Sequence, residues 1–258
     1  MTPPFVIREG AGPIVATAIH DGHVLRDEGL ACTGLDEATR LREEDPYTAR
    51  LAAVAPTTLV AALSRFEVDL NRPRDGAIYR CADDAWGLDV WRQPPSDAHL
   101  AGALAAYDAF YAELERVLRD RIRRHGRVVV LDIHSYNHRR DGADGPAADP
   151  AQNPEINLGT GTLDRARWGA LVDRFSADLV AASPASHRLD LRENVKFRGG
   201  WMSTWIHQTF PESACALAIE FKKTFMDEWT GVLDERRHGE LRAALAATLP
   251  GLEESLAA

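Results

Sequence analysis

The sequence is poor in cysteine: Cys32, Cys81 and Cys215 are the only three in 258 residues. Their number is odd, they lie far apart, and no two of them form a C-x-x-C pair. Structural disulfides and thiolate zinc sites need paired or closely spaced cysteines, so neither is predicted here. The cysteines are expected to be reduced and to serve mainly in packing.

Basic residues are fewer than acidic ones. Lysine and arginine together number 30 against 39 aspartate and glutamate residues, which gives a formal net charge of −9 and a pI near 5.5. A protein that follows nucleic-acid phosphates needs a basic stripe, and a peripheral membrane helix needs a cationic face. The sequence shows neither, so we expect no nucleic-acid partner.

Long apolar runs are missing as well. No window approaches the ~18 apolar residues of a membrane span. Residues 1–5, MTPPF, lack the basic region followed by an apolar stretch that marks a secretory signal. These observations predict no membrane partner and a cytoplasmic location.

The composition suits one large α/β domain. Hydrophobic residues make up 45% of the chain, and a chain of this length can bury one sizeable core. No internal repeat and no linker-like stretch interrupts it. We therefore predict a single domain over residues 1–258.

The most informative stretch is residues 127–138, RVVVLDIHSYNH. Its first half is apolar and largely β-branched, which is typical of a strand buried on both faces, and its second half is polar. Side chains alternate along a strand, so Asp132 and His134 are expected on the same face. A carboxylate there would orient the imidazole of His134 if that ring bound a metal ion.

Two other predicted strands also end in polar residues. Residues 13–19 lead into His20, and residues 214–222 carry Glu220 near their end. Further strands are predicted over residues 57–63 and 187–194, and helices over residues 35–55 with a break at Pro46, 97–124, 163–182 and 234–249. Residues 139–161, rich in Asp, Gly, Ala and Pro, are predicted to form a long loop.

These strand ends suggest a metal site. A mononuclear zinc hydrolase typically binds its metal through two neutral imidazoles and a carboxylate and keeps one position open for water. His20 and His134 are candidates for the imidazoles, and the acidic cluster Glu43-Glu44-Asp45 is the candidate source of the carboxylate. A single histidine is more often a structural residue, so the prediction depends on two of them following matching strands.

Glu220 is a candidate general base. It lies between Ile219 and Phe221, where partial desolvation would raise its pKa and let it accept a proton near neutral pH. The alternative is a simple ion pair between Glu220 and Lys222 or Lys223.

A substrate carboxylate would need a cationic partner. Asn71 and Arg72, just before Pro73, are predicted to supply it, because a guanidinium group presents paired donors that match a carboxylate. Arg198, next to Gly199-Gly200, is a second candidate. The alternative for Asn71 and Arg72 is an ordinary hydrogen-bonded turn.

Six segments together carry a family resemblance. They are AIHDG at 18–22, EDPY at 44–47, VDLNRP at 68–73, DIHSY at 132–136, FRGG at 197–200 and IEFKKTFMDE at 219–228. In this order, and over nearly the whole chain, they resemble the N-formylglutamate amidohydrolase family. The resemblance implies an α/β fold related to the zinc carboxypeptidases and aspartoacylases, a three-layer sandwich with a central mixed, mostly parallel sheet flanked by helices.

The resemblance also implies roles for particular residues. It places one zinc ion on His20, His134 and either Glu44 or Asp45, a substrate carboxylate on Asn71 and Arg72, and the base at Glu220. We choose Glu44 as the third metal ligand and keep Asp45, Glu43 and His23 as alternatives. This chain has Lys223 where the family usually has arginine after the catalytic glutamate.

The predicted function is a zinc-dependent hydrolase that uses metal-activated water to cleave the amide of a small N-acyl amino acid, of the N-formyl type. The alternatives are a zinc carboxypeptidase-like peptidase and a non-catalytic protein that binds a metal or ligand on the same scaffold. A serine hydrolase using Ser135 is least favoured, because the sequence has no G-x-S-x-G motif. The sequence makes no prediction of the oligomeric state.

Overall fold

The computed structural model describes residues 3–258, and within them one seven-stranded sheet forms the framework. The strands are β1 (Phe5–Arg8), β2 (Ile14–Ala18), β3 (Thr57–Ala61), β4 (Val128–Tyr136), β5 (Ile156–Gly159), β6 (Leu191–Glu193) and β7 (Ala214–Lys222). They follow the order β1-β3-β2-β4-β7-β5-β6 across the sheet. The β1–β3 and β5–β7 pairs are antiparallel and the other four pairs are parallel. The predicted mixed, mostly parallel sheet is confirmed.

Most of the helices in the described residues cover the two faces of this sheet. The helices are α1 (Asp27–Cys32), α2 (Glu37–Glu43), α3 (Thr48–Ala52), α4 (Asp97–His125), α5 (Arg165–Ala181), α6 (Trp201–Thr209), α7 (Glu235–Ala247) and α8 (Leu249–Ala257). One apolar core joins the sheet to α3, α5, α7 and α8, and a second joins the opposite face to α4 and α6. The chain therefore folds as the predicted three-layer sandwich. None of these helices has the length and apolarity that crossing a bilayer requires.

The central strand β4 shows how the sequence pattern becomes a site. All nine of its residues are buried. Val129, Leu131 and Ile133 belong to the core under α5, whereas Val128 and Val130 belong to the core under α4. Continuing that alternation places Asp132 and His134 on the α4 face.

The structure differs from the sequence prediction within residues 139–161, because Ile156–Gly159 form β5 instead of continuing the loop. β5 has only four residues and includes a polar Asn157, so strand propensity is weak there. Tertiary contacts compensate for this. The side-chain amide of Asn157 donates to Phe197 O and its oxygen accepts from Lys196 N, both at 2.8 Å.

The sequence analysis also did not predict β1, α1, α6 and α8, of which α6 is the one next to the cavity. The sequence of α6, WMSTWIHQT, is rich in aromatic and β-branched residues, which have modest helix propensity. The structure provides an N-terminal hydrogen bond from a distant residue, since Asn71 Oδ1 accepts from Met202 N at 3.1 Å. Met202 and Ile206 are then fully buried in the core.

The carboxyl ends of β2, β4 and β7 lie at one edge of the sheet, because these three strands run in the same direction. His20 follows β2 by two residues. In the β4–β7 register, His134 lies beside Glu220. Sites for small ligands in α/β sheets gather at this edge.

Candidate metal centre and active-site cavity

Three buried side chains converge at this edge: His20, Asp45 and His134. Asp45 Oδ2 lies 3.1 Å from His134 Nδ1 and 3.4 Å from His20 Nδ1. The centroids of the two imidazole rings are 5.0 Å apart. One ligand atom from each residue lies within 4.8 Å of the other two. Two imidazoles and a carboxylate in this arrangement match the ligand set of mononuclear zinc sites.

Three distant segments of the chain supply these side chains. β2 and β4 are parallel neighbours, so His20 and His134 reach the same edge of the sheet. Asp45 enters from the turn between α2 and α3, where its backbone N–H donates to His20 O at 2.8 Å. The turn is therefore joined directly to one of the two histidines.

A second carboxylate lies near the other ring nitrogen, Nε2, of each imidazole. His20 Nε2 lies 2.7 Å from Asp69 Oδ1, and His134 Nε2 lies 3.0 Å from Asp132 Oδ1. Asp132 Oδ1 also accepts from Thr17 Oγ1 at 3.0 Å, which holds this carboxylate in place. Such partners fix the orientation of metal-binding imidazoles and increase their basicity. Here they leave both Nδ1 atoms facing Asp45.

The charges in the cluster stabilise one another. Burial alone would raise the pKa of Asp45, but its hydrogen bonds to His134 and His20 and their positive charge hold that pKa far below its usual value. Burial alone would lower the pKa of His134, but Asp132 and Asp45 outweigh it and raise that pKa well above its usual value. Asp45 is therefore ionised, and a metal ion that binds His134 must displace a proton.

The structure brings Asp45, and not Glu44, to the two histidines. The Glu44 carboxylate is hydrogen-bonded to Ser64 Oγ and His23 Nδ1. Glu43 points a third way, with its carboxylate 3.3 Å from Arg42 Nε and 3.4 Å from Arg140 Nη1. Consecutive side chains at the end of α2 point in different directions, so a shift of one residue changes which carboxylate faces the two histidines. His23 contacts Glu44 and is not part of the cluster of three.

Glu220 lies next to the cluster of His20, Asp45 and His134 without belonging to it. Burial raises the pKa of Glu220 to about 8, against the opposing effect of the positive charge of His134. Neither neighbouring lysine forms an ion pair with it in residues 3–258. Lys222 Nζ donates to Asn153 O at 2.8 Å, and Lys223 Nζ donates to backbone carbonyls of the α2 end. The carboxyl group is thus desolvated and available for proton transfer.

His20, Asp45, His134 and Glu220 all line one cavity of about 370 Å³. The same wall contains five cationic side chains, Arg65, Arg140, Lys196, Arg198 and Lys223. Acidic residues in the lining are fewer, and one of them, Glu43, is paired with Arg140. A cavity with this charge balance favours an anionic ligand.

Two of the three residues predicted to bind substrate line this cavity, and the third does not. Asn71 and Arg198 are in the wall, and the guanidinium of Arg198 has no hydrogen-bond partner in residues 3–258. Arg72 lies outside the cavity lining. Its guanidinium donates to Asp84 O, lies 3.6 Å from Asp69 Oδ2, and stacks 4.6 Å from the ring centre of Tyr79.

Arg65 and Trp86 line the cavity but were not identified from the sequence. Arg65 Nη2 donates to Asp69 Oδ2 at 3.1 Å, so it supports the carboxylate that holds His20. Its guanidinium stacks 4.6 Å from the ring centre of Trp86, which is half exposed and has a left-handed backbone with φ of 53°. The available signal was the spacing of Arg65 four residues before Asp69 in the polar segment after β3.

Comparisons with known proteins identify the family of the chain and relate its fold to solved structures. Residues 12–226 match the family model for N-formylglutamate amidohydrolase. An N-formylglutamate deformylase from Pseudomonas aeruginosa is 27% identical over 275 aligned positions, which cover 97% of this chain and 95% of that protein. The fold is similar to the crystal structure of N-formylglutamate amidohydrolase from Ralstonia eutropha JMP134, with a TM-score of 0.78, 20% identity and coverage of 99% and 98% of the two chains. The gene product Atu2144 from Agrobacterium tumefaciens has a TM-score of 0.65, 18% identity and coverage of 99% and 95%.

Proposed function

This chain belongs to the N-formylglutamate amidohydrolase family, and we propose that it hydrolyses the amide of a small N-acyl amino acid, with N-formylglutamate as the first substrate to test. The observation that carries the proposal is the convergence of His20, Asp45 and His134 beside Glu220 in one cation-rich cavity. Each of these groups has a defined part in metal-assisted amide hydrolysis. The fold alone would not justify the proposal, because one fold hosts many activities.

We assign metal binding to His20, Asp45 and His134. The fit is supported by the two Nδ1 atoms that face a shared carboxylate oxygen, and by the acidic partners Asp69 and Asp132 at the Nε2 atoms. All of these side chains are buried, which protects the site from competing ligands. A divalent ion such as zinc, when bound there, would polarise the amide carbonyl and make a neighbouring water molecule more acidic.

We assign proton transfer to Glu220. Its carboxylate takes a proton from the attacking water as the new C–O bond forms at the acyl carbon. It then gives that proton to the amino-acid nitrogen as the C–N bond breaks, so the products are the free amino acid and the carboxylic acid of the acyl group, which releases its own proton to solvent and becomes a carboxylate. A desolvated carboxyl group has the proton affinity that both steps require near neutral pH.

The exposed cations of the cavity are suited to the carboxylates of the substrate. Arg198, Lys196 and Arg140 line the cavity with exposed side chains. Lys196 already donates to Asn153 Oδ1 at 2.7 Å and Arg140 lies near Glu43, so Arg198 has the greatest number of free donors. An N-acyl glutamate carries two carboxylates, and we place at least one of them on Arg198.

The substitution Arg198→Gln is therefore expected to raise KM for an acidic N-acyl amino acid by about 10-fold or more. A hydrogen bond to a charged group is typically worth about 1.5–3 kcal/mol, and glutamine cannot reproduce the paired donors of arginine. The measurement is steady-state kinetics with N-formylglutamate beside N-formylated amino acids that have neutral side chains.

Arg72→Gln is the matched control for that experiment, since it removes the same group outside the cavity lining. Its loss of contacts with Asp84, Asp69 and the ring of Tyr79 is expected to lower the melting temperature while leaving KM near the wild-type value. A large rise in KM for Arg72→Gln, with none for Arg198→Gln, would show that Arg72 turns into the cavity when substrate binds.

The proposed function is tested by turnover of N-formyl and N-acetyl amino acids by the zinc-loaded protein. Release of the free amino acid, its loss after chelation and its return with zinc are the expected results. Activity that survives chelation would point to a different hydrolase chemistry. Ser135 is a poor candidate for the nucleophile of a serine hydrolase, since its hydroxyl donates to Asp45 Oδ1 at 3.4 Å and to no histidine within residues 3–258. Turnover of peptides but not of N-acyl amino acids would favour a peptidase. The absence of any turnover would favour a protein that binds a metal or ligand without catalysis.

A further inference from the structure

Lys223 is a buried lysine whose role the proposed reaction does not explain. It is the first residue after β7, and its side chain is almost inaccessible, with 1% of the residue surface exposed. Its ammonium group donates to Arg42 O at 2.6 Å and to Glu44 O at 2.7 Å. Its backbone N–H donates to Tyr136 O at 3.0 Å, which continues the pairing of β4 with β7. Lys223 therefore connects the centre of the sheet to the end of α2.

The two carbonyl groups need such a partner. α2 ends at Glu43, and the last carbonyl groups of a helix receive no hydrogen bond from an N–H group within the helix. A cation at a helix C-terminus also interacts favourably with the helix dipole. Removing an ammonium group from water is costly unless hydrogen bonds replace its hydration. The position of Lys223 is therefore specific, because few other arrangements would satisfy both the ammonium and the carbonyls.

The segment that Lys223 holds is the one that carries Asp45. Glu44, whose carbonyl accepts from Lys223, directly precedes Asp45 in the chain. Tyr47, two residues later, has φ of 69°, a left-handed conformation that is unfavourable for a residue with a side chain. A turn of this kind persists only when contacts from elsewhere in the fold hold it. Lys223 supplies two of those contacts, and the bond from Asp45 N to His20 O supplies another.

We propose that Lys223 is a positioning residue, which holds the turn after α2 where Asp45 can bind a metal ion together with His20 and His134. This inference rests on the proposed function for its metal, although the positioning itself is a property of the metal-free chain. The end of β7 thus supplies Glu220 to the cavity, and the residue that follows the strand, Lys223, holds the turn that carries Asp45. Lys223 does not contact the reacting atoms in this role.

The first test is zinc affinity, measured by competition with a chelator. Lys223→Met keeps the aliphatic stem and removes the ammonium, and it is expected to weaken zinc binding by about 10- to 100-fold, the range seen when residues that support metal ligands are changed. Lys223→Arg is expected to restore most of the affinity, because it keeps a cation with several donors. Lys222→Met is the control, since Lys222 Nζ donates to Asn153 O away from the turn.

The second test is hydrogen exchange in the metal-free proteins. In Lys223→Met the backbone amides of residues 42–49, including that of Asp45, are expected to exchange about 10-fold faster, which corresponds to the loss of about one hydrogen bond. Exchange in β4 and β7 should stay near wild type. Faster exchange through the whole sheet would indicate general destabilisation and would contradict a positioning role.

The two readouts separate this inference from the proposed function. If wild-type protein binds no zinc and hydrolyses no N-acyl amino acid, the function is wrong, and the exchange data still decide whether Lys223 holds the turn. If wild type binds zinc and is active, but Lys223→Met matches it in zinc affinity and in exchange, the inference is wrong. If Lys223→Met does not fold, Lys223→Gln, which keeps a donor for one carbonyl, is measured by the same criteria.

Discussion

Glu220→Gln is expected to lower kcat by about 10²- to 10⁴-fold, the usual contribution of a general base, while zinc binding remains near the wild-type level. Glutamine keeps the size of the side chain and can still form hydrogen bonds, but it cannot accept a proton from water. Glu220 is beside His134 in the sheet and outside the cluster of three candidate ligands, so metal binding does not depend on it. The measurement is kcat with the best substrate from the turnover screen, together with zinc stoichiometry.

The pH profile supplies a second readout of the same role. The base acts as a carboxylate, so protonation removes it, and wild-type kcat/KM is expected to fall as the pH is lowered. Burial raises the pKa of Glu220 to about 8 in the metal-free protein, and a bound cation would oppose that rise. The apparent pKa therefore belongs to the coupled site and not to one group. The residual activity of Glu220→Gln should lack this acid limb.

Glu228→Gln is the matched control for Glu220→Gln. Glu228 is a buried glutamate that follows β7, but it accepts backbone N–H groups of His138 and Arg139 and does not line the cavity that contains His20, Asp45 and His134. Its substitution is expected to reduce stability more than kcat. A folded, zinc-loaded Glu220→Gln protein with near-normal kcat would rule out Glu220 as the base and remove the main argument for catalysis.

The sheet and the strand ends could be predicted because their signals are local and repeated. The run of β-branched residues before Asp132 and His134 defines a buried strand, and the same change to polar residues occurs after β2 and near the end of β7. Parallel strands bring their carboxyl ends to one edge. Side chains as far apart in sequence as His20 and Glu220 could therefore be expected in one place.

The elements that were missed depend on contacts from distant parts of the chain. The strand β5 includes Asn157, whose amide is satisfied only by the backbone of Lys196 and Phe197. Helix α6 receives its N-terminal hydrogen bond from Asn71, which lies 131 positions away in the sequence. Local propensity contains no information on such partners, so short elements of this kind cannot be read from the sequence alone.

The choice among candidate ligands and substrate-binding residues depends on contacts of the same kind. Glu43, Glu44 and Asp45 are equivalent as acidic residues in a sequence, and only the path of the turn decides which one faces the histidines. Arg72 follows Asn71, which lines the cavity, so the two residues are equivalent in the sequence as candidates for binding a substrate carboxylate. In the structure, Tyr79 and Asp84 hold the guanidinium of Arg72 outside the cavity lining. Residue type indicates the kind of site, whereas the backbone determines which residue of that type serves it.

Asp45→Asn is expected to weaken zinc binding by at least about 100-fold and to abolish turnover at ordinary zinc concentrations. Residues that merely support metal ligands usually affect affinity by ~10- to 100-fold, so removing the charge of a ligand should exceed that range. Asparagine keeps the shape of the side chain, and the backbone hydrogen bond from residue 45 to His20 O is unaffected.

Glu44→Gln is the matched control for Asp45→Asn, because it removes the adjacent, equally buried carboxylate, which contacts Ser64 and His23. Zinc content and affinity of the two purified proteins decide between them. Loss of zinc in Glu44→Gln with full binding in Asp45→Asn would restore Glu44 as the third ligand.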